Sequence, residues 1–216
     1  MKSDIVRVTN GGEGVDEALQ AASASAAYRG LEKKESIRLQ LLAEEMLGML
    51  RQITGETEAK FWLTSEGKRF ELHLKAQPLM SGRMRRELLS VASSGENAAA
   101  VGFMGKLREM FECAFSNTDP RDLTDYSRFY IHGLTLPVGP DSVDPMAFAL
   151  NASLQDEAVN WSMQQLKANV EQKKDGNPEA SAEWDELEKS IVANLADEIT
   201  VAIRGGEVEM TVYKSF

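Results

Sequence analysis

At 216 residues the chain can bury a sizeable core, and its apolar and charged fractions, 43% and 27%, exclude a disordered protein. Acidic residues outnumber basic ones 34 to 24, giving a net charge of -10, which argues against the basic face of a nucleic-acid binder. The single cysteine, Cys113, allows no disulfide within the chain, and no apolar run approaches bilayer-spanning length, so a cytoplasmic protein with no membrane contact is expected.

Asp4 to Asn10 reads as a first strand through Ile5, Val6 and Val8, closed by the Asn10-Gly11-Gly12 turn. Val15 to Tyr28 is alanine-rich and helical, with Asp16 and Glu17 in its first turn and Gly30 as its stop. A second helix runs from Glu35 to Thr54. Leu39, Leu42, Met46, Met49 and Ile53 recur on it at helical spacing, and Leu41, Leu47 and Leu50 widen its apolar surface, so it should be largely buried. Glu44 and Glu45 interrupt that apolar middle. A buried carboxylate needs a cation, a donor or water, and adjacent residues point about 100° apart, so only one of the two can face a cleft. Two readings follow: an ion pair with Arg38 or Arg51, or a place in a ligand site.

Ala59 to Ser65 and Arg69 to Gln77 form a hairpin around Glu66-Gly67-Lys68. Its second arm alternates Phe70, Leu72, Leu74 and Ala76 with Arg69, Glu71, His73 and Lys75, so one sheet face meets the helices and the other meets water. Ser81 to Ala92 reads as a short helix carrying Arg83, Arg85 and Arg86. The small-residue stretch Ser93 to Gly105 then opens a helix that runs to Phe115. Asn117 to Val143 is irregular. Asp144-Pro145 starts a long helix reaching about Gln172, and Asn177-Pro178 starts another with the stripe Trp184, Leu187, Ile191 and Leu195. Ile199 to Arg204 and Glu207 to Phe216 close the chain as a tight hairpin around Gly205-Gly206. No internal repeat is visible. The stretch 116–180 breaks the helix–strand rhythm and is read as a helical insertion.

This order predicts a single domain over 1–216, an α+β two-layer sandwich with helices on one face of a mixed, mostly antiparallel sheet. A glutamate-bearing central helix ahead of a hairpin, and a glycine-rich loop feeding a helix, resemble the Bergerat-type ATP-binding fold of the gyrase, histidine-kinase and heat-shock-protein (GHKL) family. The similarity is nearest to the anti-sigma-factor serine kinases and covers about 1–115 and 181–216. The resemblance implies ATP as ligand and Glu44, or its neighbour Glu45, as the group that handles the attacking hydroxyl. It implies a phosphate lid over Gly95, Asn97, Gly102 and Gly105, with Gly82 as a motif glycine and Lys106 or Arg108 on the phosphates. A helix N-terminus with free N–H groups attracts phosphate in any family.

Gly48 stands four residues after Glu44, where the family places an asparagine for Mg²⁺, and Met49 stands four after Glu45; neither side chain ligates a hard cation. No aspartate occurs in Lys75 to Gly82, where the family reads adenine. The expected function is therefore an ATP-binding-like regulatory protein with phosphoryl transfer unsupported, or a non-catalytic protein-interaction module that keeps the fold without nucleotide. Both imply a protein partner, and both leave a homodimer open.

His73 and His132 are far apart with no further ligand at metal spacing, and His73 reads as a surface histidine. Arg83, Arg85 and Arg86 pair with Glu87 and Glu96 or face the phosphate loop. Tyr126, Phe129 and Tyr130 either pack back or meet a partner.

Overall fold

A computed structural model describes residues 1–53, 56–78, 107, 159–173, 178–204 and 207–216. Strand β1 (Val6–Thr9) is followed by helices α1 (Val15–Tyr28) and α2 (Lys33–Arg51) and by the hairpin β2 (Thr57–Glu66) and β3 (Arg69–Pro78). The chain returns with β4 (Val159–Ser162), α3 (Met163–Lys173), α4 (Pro178–Lys189) and the short α5 (Ile191–Leu195). It ends in the hairpin β5 (Glu198–Arg204) and β6 (Glu207–Ser215).

The strands form one six-stranded sheet in the order β1-β2-β3-β6-β5-β4, antiparallel at every described pairing rather than mixed. Cross-strand register places the buried apolar residues of the sheet on one side. Phe61 faces Leu74, Leu72 faces Val212, Met210 faces Val201, and Val201 faces Trp161. All of these are buried, as are Ala18 and Ala22 of α1, Leu42 and Met46 of α2 and Leu166 and Val170 of α3, in one continuous core. A buried leucine or phenylalanine contributes about 2 kcal/mol by leaving water, so this single face supplies most of what holds the layers together.

Small residues set the approach of α1. Its buried side is Ala18, Ala22, Ser25 and Ala26, and its first turn presses on β1. Gly14, which precedes the helix, has φ of 74° and a hypothetical Cβ would lie 1.9 Å from the carbonyl oxygen of Arg7. Only glycine fits there. At the start of α2, Glu35 accepts a hydrogen bond from the Glu32 N–H at 2.8 Å and is paired with Lys68 of the β2–β3 turn at 2.8 Å. The N-cap is thereby tied to the hairpin.

Two sequence expectations need correction. The long helix expected from Asp144 to Gln172 is interrupted: Val159–Ser162 is a strand, and α3 begins only at Met163. Ser162 and Glu198 make the switch, since Ser162 Oγ accepts from the Gln165 N–H at 3.4 Å and Glu198 accepts from the Gln164 N–H at 3.2 Å. The last part of 116–180 is therefore integral to sheet and core rather than an insertion beside them. The stripe from Trp184 to Leu195 is likewise broken. Ser190 caps α5 by accepting from the Ala193 N–H at 3.2 Å, and Ile191 is exposed.

Candidate functional site

On α2 the core takes Leu39, Leu42, Ala43, Met46, Leu47 and Leu50. At 100° per residue the remaining stripe is Ile37, Leu41, Glu44, Gly48 and Arg51, and there Glu44 is exposed while Glu45 is half-buried. The buried carboxylate expected from the sequence is thus a solvated one. Among the described residues neither glutamate is ion-paired to Arg38 or Arg51. Gly82, Gly95, Asn97, Gly102, Gly105, Lys106 and Arg108 lie outside the described residues, as do Cys113, His132 and the aromatic group around Tyr126. Leu107, between Lys106 and Arg108, is helical and buried in the common core.

The organised chemistry lies on the other face of the sheet. The two-residue turn at Gly67-Lys68 closes the Glu66–Arg69 pair, and this register sets Trp62 opposite His73 on the outward side. Their rings stack with centroids 4.8 Å apart and planes 5° from parallel. Lys2 places its ammonium 5.3 Å from the Trp62 ring. Across the next ladder His73 faces Thr211, whose hydroxyl lies 3.3 Å from His73 Nδ1.

Both imidazole nitrogens also face carboxylates. Nε2 is 3.3 Å from Glu71 and Nδ1 is 3.4 Å from Glu209. A neutral ring has one N–H and can donate to only one of them, whereas a ring carrying two protons donates to both. Thr64 donates to Glu71 at 2.7 Å and fixes that carboxylate in turn. The His73 side chain is 14% exposed, against 46% for Glu71 and 38% for Glu209. The ring is therefore walled in while the acids remain reachable. Such an arrangement presents two acceptor groups beside a stacked aromatic pair, which is chemistry for holding a cation.

Reading His73 as an ordinary surface histidine missed this cluster. Period-2 alternation put His73 on the outward face, but its pairing with Trp62 needs the two-residue turn Gly67-Lys68 rather than the Glu66-Gly67-Lys68 turn expected from the sequence. Only the β3–β6 ladder, a pairing between distant segments, could bring Glu209 and Thr211.

Around the edges, Lys75 pairs with Glu207 at 2.8 Å and Arg7 with Glu58 at 2.7 Å. The hydrogen bond from Lys75 holds the Glu207 carboxyl below its ordinary value, despite partial burial that pulls it up. Among the described residues, no cluster of three or more His, Cys, Asp or Glu side chains forms a metal site, and no helix is long and apolar enough to cross a membrane.

Fold and surface together define an α+β domain whose outward feature is an ordered polar patch at the centre of its sheet. Comparison with family models, with curated proteins and with solved structures returns no match for this chain.

Proposed function

We propose that the protein is a non-catalytic interaction module that binds a cationic segment of a protein partner on the outward face of its sheet. One observation carries this reading: Glu71 and Glu209 stand half-exposed on either side of the fixed Trp62–His73 pair. A lysine or arginine from a partner could reach both acids, and the adjoining indole edge would cover its alkyl stem. The net charge of -10 favours encounter with a basic partner.

The alternative is an ATP-dependent regulator of the GHKL kind. The exposed position of Glu44 and the glycine at position 48 lend that reading less support.

A thermal-shift titration separates the two, since a ligand that prefers the folded state raises its melting temperature. A short arginine-rich peptide should raise it, and the shift should shrink with added salt and in Glu71→Gln/Glu209→Gln. ATP with Mg²⁺ should leave it unchanged. A shift with ATP alone would restore the nucleotide reading, and a peptide shift that survives the double substitution would remove the sheet face.

A further inference from the structure

The two halves of the sheet are arranged alike. Among the described residues, strand β1, helices α1 and α2 and the β2–β3 hairpin make one unit; β4, helices α3 to α5 and the β5–β6 hairpin make another that repeats the strand, helices, hairpin order with one short helix more. In the sheet they lie as β1-β2-β3 and, reversed, β6-β5-β4.

The register agrees with this to the residue. Each hairpin closes over two residues, at Glu66–Arg69 and at Arg204–Glu207. Counting four residues on from Arg69 reaches His73, and four on from Glu207 reaches Thr211; those two are directly paired. Outward from that pair, Leu72–Val212 is matched by Leu74–Met210, and Glu71–Tyr213 by Lys75–Glu209. A two-fold axis through the His73–Thr211 pair thus relates the two hairpins. Glu71 and Glu209, the two acids flanking the imidazole, are counterparts under it.

We infer that the described part of the chain is a pair of strand–helices–hairpin units, and that β3 is a self-complementary docking edge whose natural alternative partner is β3 of a second copy. In the intact chain β6 occupies that edge. The same register applied to two β3 strands sets His73 opposite His73 of the second copy and Leu72 opposite Leu74 of the second copy. Glu71 then faces Lys75 of the second copy, twice over. Apolar residues stay on the core face, Glu71 and Lys75 meet their opposites, and Arg69 meets the neutral Gln77, so no like charges oppose each other. Two-fold pairing of one surface with itself is the commonest way that identical chains associate.

The test uses the full chain with the seam broken from the second unit's side. Met210→Pro/Thr211→Pro removes two successive N–H groups from the middle of β6, one of which points toward β3. His73→Cys with Cys113→Ala leaves a single thiol at the predicted axis. The seam-broken chain should sediment as a dimer that a short bis-maleimide cross-links through position 73. With the seam intact, the same thiol should give a monomer and no cross-link.

Adding Glu71→Lys to the seam-broken chain should weaken the dimer several-fold, and adding Lys75→Glu as well should restore it. A monomer that keeps β2 amide protection overturns the inference. So does a dimer without the cross-link, or one indifferent to Glu71→Lys. Loss of all protected amides overturns it too, because a first unit able to pair with itself must survive loss of the second.

Discussion

Asn10 grips Thr57 by both of its backbone polar groups: the Asn10 N–H donates to the Thr57 carbonyl at 3.2 Å, and Asn10 Oδ1 accepts from the Thr57 N–H at 3.1 Å. The same side chain donates through Nδ2 to the Ile53 carbonyl at 3.0 Å. One amide therefore ties the end of β1 to the start of β2 and to the chain leaving α2. Thr57 is buried, so Asn10→Ala strands a buried N–H and should cost about 2 kcal/mol. Asn10→Asp keeps the acceptor and should cost clearly less. Urea midpoints of the three proteins decide it, and equal losses would mean that the acceptor is irrelevant.

Gly14→Ala should be among the most damaging single changes. The new methyl would meet the Arg7 carbonyl oxygen at 1.9 Å, in a backbone conformation at φ of 74° that already disfavours a side chain. Separating α1 from β1 to relieve the clash should cost at least about 2 kcal/mol. A loss below about 1 kcal/mol in denaturant unfolding would show that the helix shifts freely.

Gly48 behaves in the opposite sense. It lies inside α2, and among the described residues an added Cβ meets nothing within 4 Å. Gly48→Ala should stabilise by about 0.5–1 kcal/mol through helix propensity. On the same stripe, Glu44→Gln should change stability by less than about 0.5 kcal/mol, because the carboxylate is exposed. A large loss on Glu44→Gln, read as a drop in melting temperature, would mean that this acid is held in a pairing after all.

Acid should weaken the fold in part through three carboxylates. The Lys68 hydrogen bond, with that from the Glu32 N–H, lowers Glu35. Burial pulls Asp197 up, but hydrogen bonds from Lys214 and the Ser215 N–H outweigh it and leave the group lowered. Glu207 is lowered mainly by Lys75. A depressed carboxylate contributes stability that is present above its unfolded value and lost as pH falls through its folded one. The melting temperature should therefore hold from neutral pH to about 5 and decline below about 4. Asp197→Asn should remove part of that decline, and curves of identical slope would exclude Asp197.

Much of the framework was legible in the residue order. Alternation from Phe70 to Ala76 and from Val208 to Val212, with a glycine-bearing turn between the arms, marks both hairpins because the period of 2 is unambiguous. The alanines of α1 and the leucines of α2 mark helices to within a few residues. Strand β4 escaped because four residues, Val159 to Ser162, are too few for a period to declare itself inside a helix-like context. Which of Glu44 and Glu45 is exposed was not legible for another reason: on a helix with apolar residues over most of its circumference, composition does not say which narrow stripe meets water. The two-fold relation is faint in the residues themselves: Glu71 matches Glu209, but matching positions such as His73 and Thr211 are chemically unlike. Backbone pairing carries most of it.

Strand order has a consequence for synthesis. The first unit leaves the ribosome complete through β3, but β6, which covers that strand's free edge, follows only after more than a hundred further residues. At ribosomal speeds that interval is on the order of ten seconds. Throughout it β3 is without the strand that pairs with it in the finished sheet. The charges on Arg69, Glu71 and Lys75 are the safeguards that keep it from pairing with stray strands.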